Sequence, residues 1–276
     1  MPEREQKSND YEVGAVRKAL QILCEFTPQT PCWSLSELSG RLEIPKSTAH
    51  NLIRTLQGLG FLEQDPHAKR YRLGARVLAF SLTFSHHTQL VSYALPHLRD
   101  LADRTQETVK LGILSNREAL ITTAIESPYH LHTRGDEGRR APLHSTSLGK
   151  ALLSALPDPE ITEIAAHNGL PRFTARTIAT LSRLKQEVEQ IRSQGYAVDW
   201  EENESGVRCV AARVDFPGNR LAAAISVSGP ASRVTRPRIK TLASAVVQTS
   251  RAISASLDGR SSPRPSPAEG RNDQEL

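Results

Sequence analysis

WSLSELSGRLEIPKSTAHNLIRTLQGLGFLEQDPHAKRYRLG, residues 33–74, decides the fold of the first part of the chain. Leu35, Leu38 and Leu42 recur at helical spacing, and either Ser34 or Ser36 can cap their helix. Ser34 also lies three residues before Glu37, which is capping-box spacing. Ile44-Pro45 breaks that helix, and Pro45 suits the first turn of the next, where its missing N–H costs nothing. From Pro45 to Gly60, Ala49, Leu52, Ile53, Leu56 and Leu59 recur at steps of three and four, which predicts one buried stripe. The opposite face carries Ser47, His50, Asn51 and Arg54, with Lys46 and Thr48 on its shoulder. Every one can donate a hydrogen bond and none is acidic, so the face suits phosphates and base edges. After Gly60 comes a hairpin pattern: Phe61-Leu62-Glu63, a polar turn through Asp65, Pro66 and His67, then Lys69-Arg70-Tyr71-Arg72-Leu73.

Helix, tight turn, polar-faced helix and basic hairpin describe a winged helix-turn-helix. Its second helix enters the major groove and its wing rides the neighbouring backbone. The contacts to double-stranded operator DNA are expected from Ser36, Lys46, Ser47, Thr48, His50, Asn51, Arg54, Lys69, Arg70 and Tyr71. A small helical bundle with a solvated polar face is the plainer alternative, and it leaves the basic hairpin unexplained.

With 276 residues the chain has room for one large or two ordinary domains. A formal net charge of +5 favours a polyanionic partner only weakly. Cys24, Cys32 and Cys209 are odd in number and lack metal-like spacing, so reduced thiols, no metal and no cofactor are expected. No apolar run approaches the roughly 20 residues of a spanning helix. MPEREQKSND at the start is charged and has no hydrophobic signal core. A cytoplasmic protein without membrane contact is the expectation.

Residues 1–10 read as disordered. Val13, Val16, Leu20, Leu23 and Phe26 form a stripe expected to close a three-helix core, which completes a DNA-binding domain over residues 11–74. Between Ala75 and Tyr93 the apolar residues fall on no single stripe, so a linker helix over residues 75–93 must be covered on several sides, in part by a second subunit. His86-His87 inside it are adjacent and point to different sides, which argues against a metal pair. A helix from Leu95 to about Arg104 with Pro96 in its first turn leads to a hairpin, Thr108–Leu114 and Ala119–Ile125, turning at Asn116-Arg117. His130-Leu131-His132 could form a short strand. An apolar helix follows over Ala151–Leu156, another starts at Pro159, and a longer one stops at Gly195. Strand-like runs cover Tyr196–Trp200, Val207–Val214 and Leu221–Val227, the last two flanking the turn Pro217-Gly218-Asn219. Arg238 to about Leu257 is a final helix, and the Ser/Pro-rich residues 258–276 read as disordered. Strands mixed with helices, neither alternating nor segregated, indicate an α+β domain over residues 94–257, built on a mainly antiparallel sheet flanked by helices.

Taken together, Val16–Leu23, Leu35-Ser36-Glu37-Leu38, Ile44-Pro45-Lys46-Ser47-Thr48, Gly60-Phe61-Leu62 and Tyr71-Arg72-Leu73-Gly74 resemble the IclR family of bacterial transcriptional regulators. Pro142-Leu143-His144, Leu148–Leu153, Gly195–Asp199, Gly206–Ala212 and Ser226–Pro230 extend the resemblance over roughly residues 13–256. It implies a GAF-like C-terminal effector-binding domain, dimers often paired into tetramers, and control of catabolic genes. It also implies a small-molecule pocket at Ser147, Leu148, Asp199, Val207, Cys209, Ser226 and Ser228. Physical chemistry agrees in part. Residues 145–148 open a helix, whose free N–H groups favour a carboxylate. Ser226 and Ser228 alternate along one strand and share a side. Asp199 repels an anion but can accept a bond from a hydroxyl, so the expected effector is a small organic acid with a polar second group. Trp200 stands where the family more often has an acidic or amide residue, which points to an altered local shape or effector size. Two other classes compete: an enzyme domain using Cys209 as nucleophile, which needs an activated thiol and a base in reach, and an architectural DNA binder that senses nothing.

Overall fold

The computed structural model describes residues 13–27, 30–215 and 221–258, and of residues 84–88 the backbone only. The extreme N-terminus, the Pro217-Gly218-Asn219 turn, the side chains of His86 and His87 and the Ser/Pro-rich tail fall outside the described residues. The chain divides into two compact units, one ending at Thr88 and the other beginning at Gln89. Among the described residues no helix is long and apolar enough to cross a membrane.

The first unit comprises α1 (Gly14–Cys24), α2 (Leu35–Arg41), α3 (Lys46–Gly58), the hairpin β1 (Leu62–Gln64) and β2 (Tyr71–Leu73), and α4 (Ala75–Thr88). Ser34, not Ser36, opens α2: its hydroxyl accepts from the Glu37 N–H while the Glu37 carboxylate accepts from the Ser34 N–H. Two orphan donors of the first turn are thereby satisfied at once. Pro45 sits at the N-cap of α3, one residue outside the helix. Ile22, Phe26, Leu38, Ile44, Ala49, Ile53, Leu56, Leu62 and Tyr71 form the core. The α1 stripe expected from the sequence is therefore shifted. Ile22 and Phe26 are buried, with Ala19 and Leu23 packed against them, while Val13, Val16 and Leu20 stay exposed.

The linker helix expected over 75–93 is two helices. α4 stops at Thr88, Gln89 adopts the left-handed conformation (φ 50°), and α5 runs Leu90–Thr105 with Pro96 well inside it. A non-glycine residue in that region interrupts the helical ladder.

In the second unit α5 leads to β3 (Thr108–Ser115) and β4 (Glu118–Ile125), then β5 (Arg140–Ala141), α6 (Ser147–Leu153), α7 (Asp158–Asn168), α8 (Leu181–Gln194), β6 (Ala197–Trp200), β7 (Val207–Val214), β8 (Ala223–Pro230) and α9 (Arg236–Asp258). Asn116 and Arg117 both take positive φ, 50° and 62°, as a two-residue hairpin turn requires. His130-Leu131-His132 form no strand; their segment is irregular and tied down by side chains. The six strands pair antiparallel throughout, in the order β5-β4-β3-β8-β7-β6. Period-two alternation divides their side chains between two layers. Val109, Leu111, Val198, Val210, Ile225 and Val227 pack with α5 and α9. On the opposite face Ala197, Ala211 and Ala224 are small, and α6 to α8 lie over them.

Those small residues let α6 come close to the sheet. At Gly149 α6 also abuts the backbone that follows β5: a Cβ there would stand 2.5 Å from the Leu143 Cα and the Pro142 carbonyl oxygen. Both obstacles are backbone and cannot rotate away. Gly149→Ala should therefore destabilise the second unit by about 1–3 kcal/mol, read as a lower urea midpoint for its unfolding. An unchanged midpoint would mean that the 142–143 backbone yields.

Candidate functional site

In the first unit, α3 buries Ala49, Ile53 and Leu56 and exposes Lys46, Ser47, His50, Asn51 and Arg54; Thr48 is half-buried. Among the described residues none of these six side chains is engaged in a hydrogen bond or ion pair. Their donors are therefore open on an acid-free surface.

The wing is more mixed than its sequence suggests. Asp65 organises its tip, accepting from the N–H groups of His67 and Ala68, and these bonds hold its carboxyl below the usual range. Lys69 is exposed beside that turn. Arg70, expected at DNA, is part-exposed and has partners within the unit: it pairs with Glu37 at 2.9 Å and donates to the Cys32 carbonyl. Tyr71, also expected there, is 6% exposed and belongs to the core, its backbone bridged to Trp33. Alternation along β2 turns Tyr71 inward and Arg72 outward, and Arg72 pairs with Glu63 across the hairpin. Ser36 is exposed in the first turn of α2.

In the second unit, α6 covers only part of its sheet face, and beside its first turn a cavity of about 860 Å³ remains. Ser147, Leu148, Asp199, Val207, Cys209, Ser226 and Ser228 all line it. Register explains the convergence. Ser228, Cys209 and Asp199 stand on one rung across β8, β7 and β6. Val207 and Ser226 lie two residues from this rung along their strands and so share its side. Ser147 is buried, and its hydroxyl oxygen has no hydrogen-bond partner among the described residues. A buried polar atom left unpaired costs roughly 1–3 kcal/mol, so one on a cavity wall marks where a polar group belongs. The start of α6 is a weaker anion site than its sequence implies. The helix has seven residues, and Thr146 already accepts from the Gly149 N–H.

Asp199 is buried beside the Glu202 carboxylate and accepts from the Glu202 N–H at 2.7 Å. Burial first, and the Glu202 charge next, push its carboxyl up to about 7. Burial, with the Asp199 charge adding, pushes the Cys209 thiol up to about 12. A thiol held toward its neutral form is a poor nucleophile, which argues against Cys209 as one. Trp200 points away from the cavity into a separate groove, its ring between the Arg208 and Arg236 guanidiniums at 5.5 and 5.3 Å. Its unusual presence leaves the shape of the cavity untouched. The two acids after it are paired: Glu202 is buried against Lys150, and Glu201 bridges Arg176 and Arg208.

Several lining residues escaped the sequence reading. Lys110, His132, Arg134, Asp136, Arg139 and Asn203 all reach the cavity. Lys110 carried one signal, a lone cation between Val109 and Leu111 in a strand buried on both faces. The residues of the irregular 126–139 segment carried none, because without periodicity a sequence does not say which side chain points where.

Two family models match the chain: the IclR helix-turn-helix domain over residues 15–66, and the bacterial transcriptional regulator IclR C-terminal domain over residues 82–255. The transcriptional regulator XynR of Escherichia coli K12 is 34% identical over 245 residues, covering 89% of this chain and 97% of that protein. The transcriptional repressor AllR of Salmonella paratyphi A is 35% identical, covering 88% and 89%. An IclR homolog from Microbacterium hydrocarbonoxydans, crystallised with 4-hydroxybenzoate, shares the fold with a TM-score of 0.78 at 22% identity, covering 89% of this chain and 99% of that one. The chain belongs to the IclR family of bacterial transcriptional regulators.

Proposed function

We propose that this regulator grips its operator through α3 and Lys69, and that a small organic acid bearing a second polar group, held in the cavity beside α6, modulates that grip. The observation that carries the effector half is the convergence of seven separated residues on one cavity whose wall holds the unpaired Ser147 hydroxyl. The 4-hydroxybenzoate complex of the Microbacterium homolog supports a ligand of this kind. The similarity to AllR, a transcriptional repressor, supports a protein that silences transcription. A cytoplasmic location follows from work on DNA. Val13, Val16 and Leu20 at and along α1, and Leu78, Phe80 and Leu82 on α4, leave apolar surface exposed in the first unit. A second copy of the chain is its natural cover, giving a homodimer suited to paired half-sites, with a tetramer as a further stage.

Arg54 decides the DNA half. If it reads a base edge, Arg54→Ala should weaken cognate operator binding by roughly 1–3 kcal/mol and leave random DNA nearly unaffected. Equal loss on every sequence, measured by fluorescence anisotropy, would make Arg54 a phosphate contact.

Asp199 gives the effector domain a pH signature. Its folded carboxyl titrates near 7 against an ordinary value of 3.8, so the folded state holds a proton that the unfolded chain has released. Stability is therefore greatest at acid pH and declines as pH rises through about 7. Asp199→Asn resembles the protonated acid and cannot titrate. Its stability advantage should grow by roughly 2–3 kcal/mol between about pH 5 and pH 8 and level off above. A pH-independent difference in urea melts would place the Asp199 carboxyl in its ordinary range.

A further inference from the structure

The two ends of the cavity differ in charge, and the difference selects a ligand. Lys110 pairs in register with Ser226, so its side chain stands next to that serine on the cavity floor. It is 13% exposed, and it pairs with the Asp136 carboxylate at a long 3.6 Å. Asp136 is itself taken at 2.9 Å by Arg139. Two cations thus share one carboxylate, which leaves net positive charge at this end, and Arg134 also lines the cavity there. At the other end stands Asp199, across β8 and β7 on β6. Burial keeps its carboxyl near the midpoint of titration at neutral pH. A hydroxyl suits such a group in both states, because it can donate to the carboxylate and accept from the acid. A ligand carboxylate suits only the acid form.

Resting on the effector-pocket reading above, we propose that Lys110 anchors the effector's carboxylate, that Asp199 receives a hydroxyl, and that the effector is therefore a hydroxycarboxylic acid oriented along the sheet. From β3 to β6 is three strand spacings, roughly 14 Å between backbones. Part of that span is taken up by the two side chains, the longer share by lysine. A two-carbon acid is too short to touch both ends, and a body of about four to six carbons or one aromatic ring fills the gap. The positive end lies at Lys110 and not at the short, already capped α6. Lys110 is thus a specificity-determining residue that no helix-terminus argument supplies.

The test uses the full-length protein and three acids, each with its neutral amide: 4-hydroxybenzoate, 6-hydroxyhexanoate and gluconate, followed by thermal shift and calorimetry. At least one acid should bind, with its amide about tenfold weaker or worse. Lys110→Met keeps the aliphatic stem and should lower affinity for that acid by about tenfold or more, leaving the amide unaffected. Asp136→Asn should act in the opposite direction, tightening the acid severalfold by freeing the Lys110 charge. Asn tolerates the positive φ of 59° at that position, so this variant decides the matter even if Lys110→Met fails to fold. Acid affinity unchanged in Lys110→Met and Asp136→Asn, but altered in Asp199→Asn, would overturn the Lys110 assignment and leave the pocket standing. Affinity unchanged in all three variants would remove the pocket reading itself. Failure of every acid to shift the wild-type melting temperature at millimolar concentration would overturn the hydroxycarboxylate class.

Discussion

The effector domain is organised around a lysine ammonium buried without contact to solvent. Lys150 projects from α6 and donates to the Val198 carbonyl at 2.7 Å, to Glu202 at 2.6 Å and to Glu187 at 3.1 Å. An ammonium has three protons, and here each finds an acceptor. Burying a charge costs several kcal/mol, recovered only when its geometry is fully satisfied. Removing one partner would leave the rest stranded, so the network holds one arrangement of α6, α8, β6 and the loop after β6. That arrangement is what the cavity needs. Glu202, fixed by Lys150, presents its N–H to Asp199, and Ser145 holds Asn203 at 2.9 Å. The second oxygen of Glu202 has no partner among the described residues, a local cost of this arrangement.

A second buried charge secures the opposite side. Glu107, fully buried, receives both Arg233 and Arg238, at 2.6 and 2.8 Å. Arg233 extends the clamp outward, stacking on Tyr129 at 4.6 Å and donating to the Leu131 carbonyl. The segment between β4 and β5 has almost no regular structure, yet it supplies Arg134, Asp136 and Arg139 to the cavity wall. Its placement rests on this clamp and on Thr133, whose hydroxyl donates to the Ser228 carbonyl. Both walls of the cavity are thus positioned by charge pairs lying behind it.

How much of this could be read from the sequence follows from the range of the forces involved. The two helices of the helix-turn-helix were legible because a cap, a proline and a stripe of apolar residues act within a few positions of one another. Where a side chain's surroundings differ from what its local sequence suggests, the deciding partner is far along the chain. Arg70 looks like a phosphate contact until α2 brings Glu37 to it. Tyr71 looks like a wing residue until Trp33 pairs with its backbone. The α1 stripe was misjudged because two apolar faces share that short helix, and sequence alone does not say which one meets the core. The seven cavity residues came from family resemblance. Their common side of the sheet rests on a strand order, β3-β8-β7-β6, that no local pattern encodes. Lys110 was missed for the same reason, since its meaning depends on Ser226 more than a hundred positions away.

This construction bears on how a ligand can act. An effector changes DNA affinity only by the difference in its own affinity for the two states of the protein, and the coupling is reciprocal. A hundredfold release from the operator requires a ligand bound about a hundredfold more tightly in the released state, a differential of roughly 2.7 kcal/mol. One charge-assisted hydrogen bond is worth about that much. A ligand held at both ends of this cavity touches β3, β6 and the start of α6 together. A displacement of any one of these relative to the others between the two states would break a contact of the required size. The buried Lys150 and Glu107 networks sharpen the dependence, because a wall held by charge pairs shifts as a unit and does not deform gradually around the ligand.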